Sequence, residues 1–126
     1  QEMSRGLGDV YKRQSIAGSK GLSNHEVISA AKGGIEGFAR SAAATYAKDN
    51  LRVNVIAPSI MDSNMSQKIL SSDTAREVSK NMHPISKIGN SDDILPVVKW
   101  LLSTDAQWVT GQTIHVDGGL STVKPR

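Results

Sequence analysis

Few residues in this chain have side chains that could carry chemistry. There are three histidines and no cysteine among 126 residues. Without cysteine, disulfides and thiolate metal sites are excluded. His83 and His115 have no ligand partners at metal spacing, so no metal is expected. His25 precedes Glu26, and such a polar pair caps the first turn of a helix, although an imidazole also moves a proton near neutral pH. The formal net charge is +3, but the basic residues are scattered and no aromatics interleave with them. That pattern argues against nucleic acid as a partner. No apolar run is long enough to span a membrane, and no signal-peptide pattern occurs. The lack of cysteine fits a cytoplasmic protein.

The elements that must position these groups can be read from periodicity. Ser15 to Ser23 is rich in Gly and Ser and reads as a loop. Asn24 is a helix N-cap candidate. From there Val27, Ile28, Ala31, Ile35, Phe38, Ala39 and Ala42 recur at helical spacing, predicting one apolar helix face running to about Lys48. Gly33, Gly34 and Gly37 within it would each cost about 1 kcal/mol against Ala, which points either to close approach of another backbone or a ligand there or to simple tolerance. Leu51 to Ala57 (LRVNVIA) reads as a buried strand, stopped by Pro58. Short helices are expected over Met65 to Ser71 and Asp73 to Met82. Ser91, Asp92 and Asp93 mark a helix start, with Ile94, Leu95, Val98, Leu101 and Leu102 on its inner face and Pro96 within it. Thr110 to Val116 reads as a second strand, alternating His115 with Ile114 and Val116, and Asp117-Gly118-Gly119 as a turn. Strands alternating with helices indicate a parallel α/β sheet. Two strands do not complete one, so the chain reads as part of a larger domain.

Residues 1–14 stand apart. They show neither helical nor strand periodicity. The stretch Asp9 to Gln14 (DVYKRQ) is what the DNA GATGTGTATAAGAGACAG encodes, which resembles a transposon end used in library preparation. Residues 1–14 are therefore expected to be a non-native, adapter-derived leader, outside fold reasoning, the alternative being a disordered native tail; on either reading there is no site at Tyr11 or Lys12-Arg13.

Four pieces occur in order: Ser15-Ile-Ala-Gly, Ser29-Ala-Ala-Lys32-Gly-Gly, Arg52-Val-Asn-Val-Ile-Ala-Pro58, and Val109-Thr-Gly-Gln-Thr-Ile-His-Val-Asp-Gly-Gly119. Together they resemble the second half of the short-chain dehydrogenase/reductase family. The resemblance covers residues 15–126. It implies the carboxy-terminal half of a Rossmann-type, doubly wound parallel sheet that binds NAD or NADP. The glycine-rich phosphate loop of that family has no counterpart in this chain.

The resemblance also implies a catalytic set. In the family, a tyrosine protonates a substrate carbonyl, a lysine four residues later supports the phenolate and holds the nicotinamide ribose, and a serine about thirteen residues before the tyrosine stabilises the carbonyl oxygen. Lys32 matches the lysine and Ser15 matches the serine, but Ile28 stands where the tyrosine belongs. Isoleucine moves no proton, and general acid catalysis contributes about 10²–10⁴-fold. His25, one turn before Ile28, is the candidate substitute. After the strand, Pro58, Ile60 and Ser63 fall where the family wraps the nicotinamide carboxamide and phosphate, while Ser59 replaces the usual glycine. The following Met-rich segment matches the substrate lid; core filling is the alternative.

The expected function is thus NAD(P)-dependent oxidoreduction of a small-molecule carbonyl or alcohol, with this portion alone inactive. The parent is expected to be a homo-oligomer, by family resemblance alone. The alternatives are a catalytically inactive nucleotide-binding or scaffolding homologue, and a chain that aggregates because sheet edges and a helix face are uncovered.

Overall fold

The computed structural model describes residues 3–6, 9–13 and 26–125, with backbone alone for the first two segments. The order is β1 (Met3–Gly6), β2 (Asp9–Arg13), α1 (Glu26–Tyr46), β3 (Arg52–Pro58), α2 (Asp73–Asn81), α3 (Ser91–Leu102) and β4 (Thr113–Val116). Among the described residues four strands form one sheet in the order β1-β2-β3-β4. β2, β3 and β4 are parallel, and β1 lies antiparallel on the edge. The class is α/β with a small parallel sheet, as expected.

The strand at the centre explains the layering. Every residue of β3 after Arg52 is buried, which is how a strand covered on both faces reads. Side chains alternate along it. Val53 and Val55 pack with Ile35, Ala39 and Ala43 of α1. Ile56 faces the other way, onto Ile94 and Leu101 of α3 and Ala106. One helix therefore covers each face of β3, which is the doubly wound arrangement.

Polar groups on β3 hold its neighbours in place. The Arg52 guanidinium donates to the carbonyl oxygens of Leu101 (2.6 Å), Val109 (3.1 Å) and Ser103 (3.4 Å). It thereby satisfies carbonyls that the end of α3 leaves open. Asn54, 2% exposed, donates to the Val109 oxygen and accepts from the Gln112 amide. Both residues came out of the sequence as ordinary strand positions. A charged and an amide side chain inside an apolar run were the signal that each had a fixed partner.

Several expectations need correction. The leader set aside from fold reasoning contains β1 and β2, and β2 pairs with β3 from Asp9↔Arg52 to Arg13↔Ile56. Main-chain pairing requires no side-chain alternation, so periodicity could not reveal it. The buried stripe of α1 is Ile35, Ala39 and Ala43, whereas Val27, Ile28 and Phe38 are exposed. A cylinder resting on one strand buries only the line of contact. Among the described residues nothing would meet a Cβ at Gly34 or Gly37 within 4 Å, which favours simple tolerance at these two glycines. The helix expected over Met65 to Ser71 is one 3₁₀ turn, Asn64–Ser66. β4 begins at Thr113 rather than Thr110. Gly111 adopts φ 71°, and Val53 is bonded instead by the Thr110 hydroxyl and the Gly111 amide. α3 spans the expected residues, but its N-cap is Asn90, in a capping box with Asp93, and Leu95 is exposed.

Candidate active site

Ligands of open parallel sheets bind outside the carboxyl ends of the strands. Here those ends are Pro58 and Val116, which are register partners. The segment after α2 links the loops that leave them. Ile85 donates its amide to Gly118 after β4, and Asp62 after β3 donates to Gly89. Gly118 has φ 61°, and a Cβ there would stand 3.2 Å from the Ile85 oxygen, so both its conformation and this contact favour glycine. Between the loops lies a cavity of about 210 Å³, walled by Ile60, Met61, Ile85, Ile94 and Val116. The polar groups lining it include Ser59, His83 and Asp117.

The polar groups are held in fixed positions. His83 is 5% exposed. Its Nδ1 lies 2.6 Å from the Ser79 carbonyl oxygen, and its Nε2 lies 2.7 Å from Ser59 Oγ. Asp117 is buried and accepts from the amides of Gly119 (2.9 Å) and Ser121 (3.0 Å). Burial pushes its carboxyl up, but hydrogen bonds from Ser121 and Gly119 outweigh burial, with help from the nearby His115. The net pKa lies below the usual carboxylate range. At the edge of the site, Lys87 pairs with Asp93 at 2.6 Å. That hydrogen bond, together with the Asn90 amide, also lowers the Asp93 pKa.

The sequence-derived candidates divide. Pro58 is buried at the end of β3, and Ile60 lines the cavity. Lys32 sits half-buried on α1 and is not among the cavity's lining residues. Ile28 precedes it by one turn and is exposed. Ser63 is exposed and caps the 3₁₀ turn, where its amide binds Ser66 Oγ at 3.0 Å. Ser15 and His25 lie outside the described residues. Met61 packs into the core around Ile56, while Met82 is exposed. The Met-rich segment thus contributes at least one core residue. Sequence reasoning missed His83 and did not connect Ser59 with it. Spacing along the chain tests His83 only as a metal ligand, and among the described residues no cluster could hold a metal. A second hollow of about 690 Å³ lies by Leu51 and Arg52, at the amino end of β3, with Trp108 at its wall. The carboxyl-end rule gives it no role. Among the described residues no helix is long and apolar enough to cross a membrane.

Comparison with known proteins agrees with this architecture. The family model described as Enoyl-(Acyl carrier protein) reductase matches residues 1–121. The chain is 35% identical over 125 residues to 2-(S)-hydroxypropyl-CoM dehydrogenase 3 of Xanthobacter autotrophicus, covering 96% of this chain and 49% of that protein. It is 27% identical to a short-chain dehydrogenase/reductase from Brucella melitensis, with a TM-score of 0.81, over 91% of this chain and 46% of the other. The structure of ElxO with NADP bound gives 25% identity and a TM-score of 0.81, over 90% and 46%. The chain thus spans about half the length of the relatives it matches. Its parallel sheet, its cavity at the carboxyl ends of β3 and β4 and above all these matches place it in the short-chain dehydrogenase/reductase family.

Proposed function

We propose that the chain forms the catalytic and nicotinamide-facing part of an NAD(P)-dependent oxidoreductase that interconverts a small-molecule alcohol and its carbonyl. The supporting observation is the cavity at the carboxyl ends of β3 and β4, which Ser59 and Ile60 line directly after Pro58. Its largely aliphatic wall suits a flat ring or short carbon chain, so the residues present fit the nicotinamide end of the cofactor. When bound, that cofactor supplies hydride exchange. Pro58 and Ile60 bound its ring, Lys32 holds the ribose hydroxyls, Ser63 offers a hydroxyl to the carboxamide or phosphate, and Ser15 binds the substrate oxygen. The glycine-rich loop that would hold the pyrophosphate is not part of this sequence. A cytoplasmic, homo-oligomeric parent belongs to the same proposal, as does an adapter origin for residues 1–14.

Calorimetric titration of NAD(H) and NADP(H) into the full-length parent tests this reading. One nucleotide binds, and Lys32→Ala weakens it by about tenfold, the loss of one charge-assisted hydrogen bond. No binding of either nucleotide would end the proposal. A second reading, a nucleotide-binding homologue without catalysis, is favoured by Ile28 at the proton-donor position. Binding without turnover of any alcohol or carbonyl would establish that reading instead.

A further inference from the structure

We propose that Ser59 and His83 form the proton relay of this site, in place of the phenol that Ile28 does not supply. The inference rests on the oxidoreductase reading above. A carbonyl oxygen only accepts hydrogen bonds, so the 2.6 Å contact with Ser79 puts the His83 proton on Nδ1. Nε2 then carries a lone pair, and the Ser59 hydroxyl 2.7 Å away donates to it. Hydroxyl, base and orienting group are therefore in hydrogen-bond series, the arrangement that lets a serine exchange a proton. Both side chains line the cavity at the strand ends. Ser59 lies between Pro58 and Ile60, the two residues assigned to the cofactor ring.

The surrounding charges leave the ring free for this task. Lys87 and Asp93 pair with each other, as do Glu77 and Lys80 on α2. Asp117 is engaged with the Gly119 and Ser121 amides and lies near His115 of β4. The Ser79 carbonyl holds the ring in both protonation states, because it accepts from the neutral imidazole and from the imidazolium alike.

In alcohol oxidation the substrate O–H bond breaks and its proton passes to Ser59 Oγ, while the Ser59 hydroxyl proton passes to His83 Nε2. The C–H bond on the same carbon breaks with its electron pair, which leaves as hydride. The substrate is oxidised and the nicotinamide dinucleotide is reduced. Carbonyl reduction runs the same transfers backward, starting from the imidazolium.

The test uses the full-length parent with its preferred nucleotide. Ser59→Ala and His83→Gln lower kcat by about 10²-fold or more, with nucleotide affinity unchanged as a check on folding. Ser59→Thr, which keeps the hydroxyl, retains about a tenth or more of the rate. Imidazole ¹⁵N NMR of the cofactor-free protein shows the proton on Nδ1. The acidic limb of the alcohol-oxidation pH profile disappears in His83→Gln. Nucleotide binding with kcat and acidic limb unchanged in both variants overturns the relay, as does binding without turnover in the wild type. A neutral His83 with its proton on Nε2 also overturns it. Failure to bind nucleotide at all overturns the oxidoreductase reading, and the relay with it.

Discussion

At the scale of single residues, the site depends on hydrogen bonds that leave little freedom. Asp117 is the clearest case. Its folded pKa lies below the ordinary value, so the folded state binds fewer protons than the unfolded chain around the unfolded carboxylate pKa of about 3.9. Its stabilisation is complete above that value and is lost as pH falls through the folded pKa. Asp117→Asn should therefore destabilise the protein at pH 7 in urea unfolding, and the gap to wild type should close as the pH is taken below about 4. A gap independent of pH would mean that the carboxylate charge is not what holds the turn. Gly118→Ala tests the same turn by geometry, through its positive φ and its approach to the Ile85 oxygen. The expected cost is about 1–3 kcal/mol. Of this detail the sequence disclosed the Asp-Gly-Gly turn but not its hydrogen bonds to Ile85 and Ser121, which depend on how the chain returns.

Elements behave according to what covers them. β3 is covered on both faces, and its polar residues have fixed partners. Arg52→Lys keeps the charge but cannot fork to Leu101, Ser103 and Val109 together, so a loss of about 1–3 kcal/mol is expected in thermal or urea unfolding. α1 is the opposite case, since it rests on β3 along one narrow stripe, Ile35, Ala39 and Ala43 with Ala42 beside them. Among the described residues nothing lies within 4 Å of a Cβ at Gly37, and Gly37→Ala should stabilise the helix by about 1 kcal/mol. If the substitution instead destabilises the full-length parent, a neighbour occupies that face there. Helix existence and spacing were legible in advance because apolar recurrence is a local property. The width of the buried stripe was not, because it depends on the surface the helix meets.

For the molecule as a whole, the exposed apolar residues carry the main prediction. Val27 (83% exposed), Ile28, Phe38 and Tyr46 on α1 and Trp108 (96% exposed) all face solvent. The chain spans about half the length of the relatives it matches. Expressed alone, residues 1–126 should self-associate and bind a hydrophobic dye, and sedimentation should show mass rising with concentration. A sharp monomer with little dye binding would show that this portion is self-sufficient. β2 adds a test of the leader. If residues 1–14 are adapter-derived, peptide mapping of the natural parent finds no Asp-Val-Tyr-Lys and a different segment against β3.

The sequence by itself determined the α/β class, the position of both long helices and the central strand, and the family. All of these are written in local periodicity or in short ordered motifs. Only the tertiary structure decided that Arg52 holds the end of α3, that residues 9–13 lie along β3, and that Ser59 meets His83. The last two are 24 residues apart. Their contact follows from the turn after α2 crossing between the ends of two strands, and no spacing along the chain encodes where such a crossing falls. Periodicity records which face of an element is buried, whereas partners across the fold depend on how several elements pack at once.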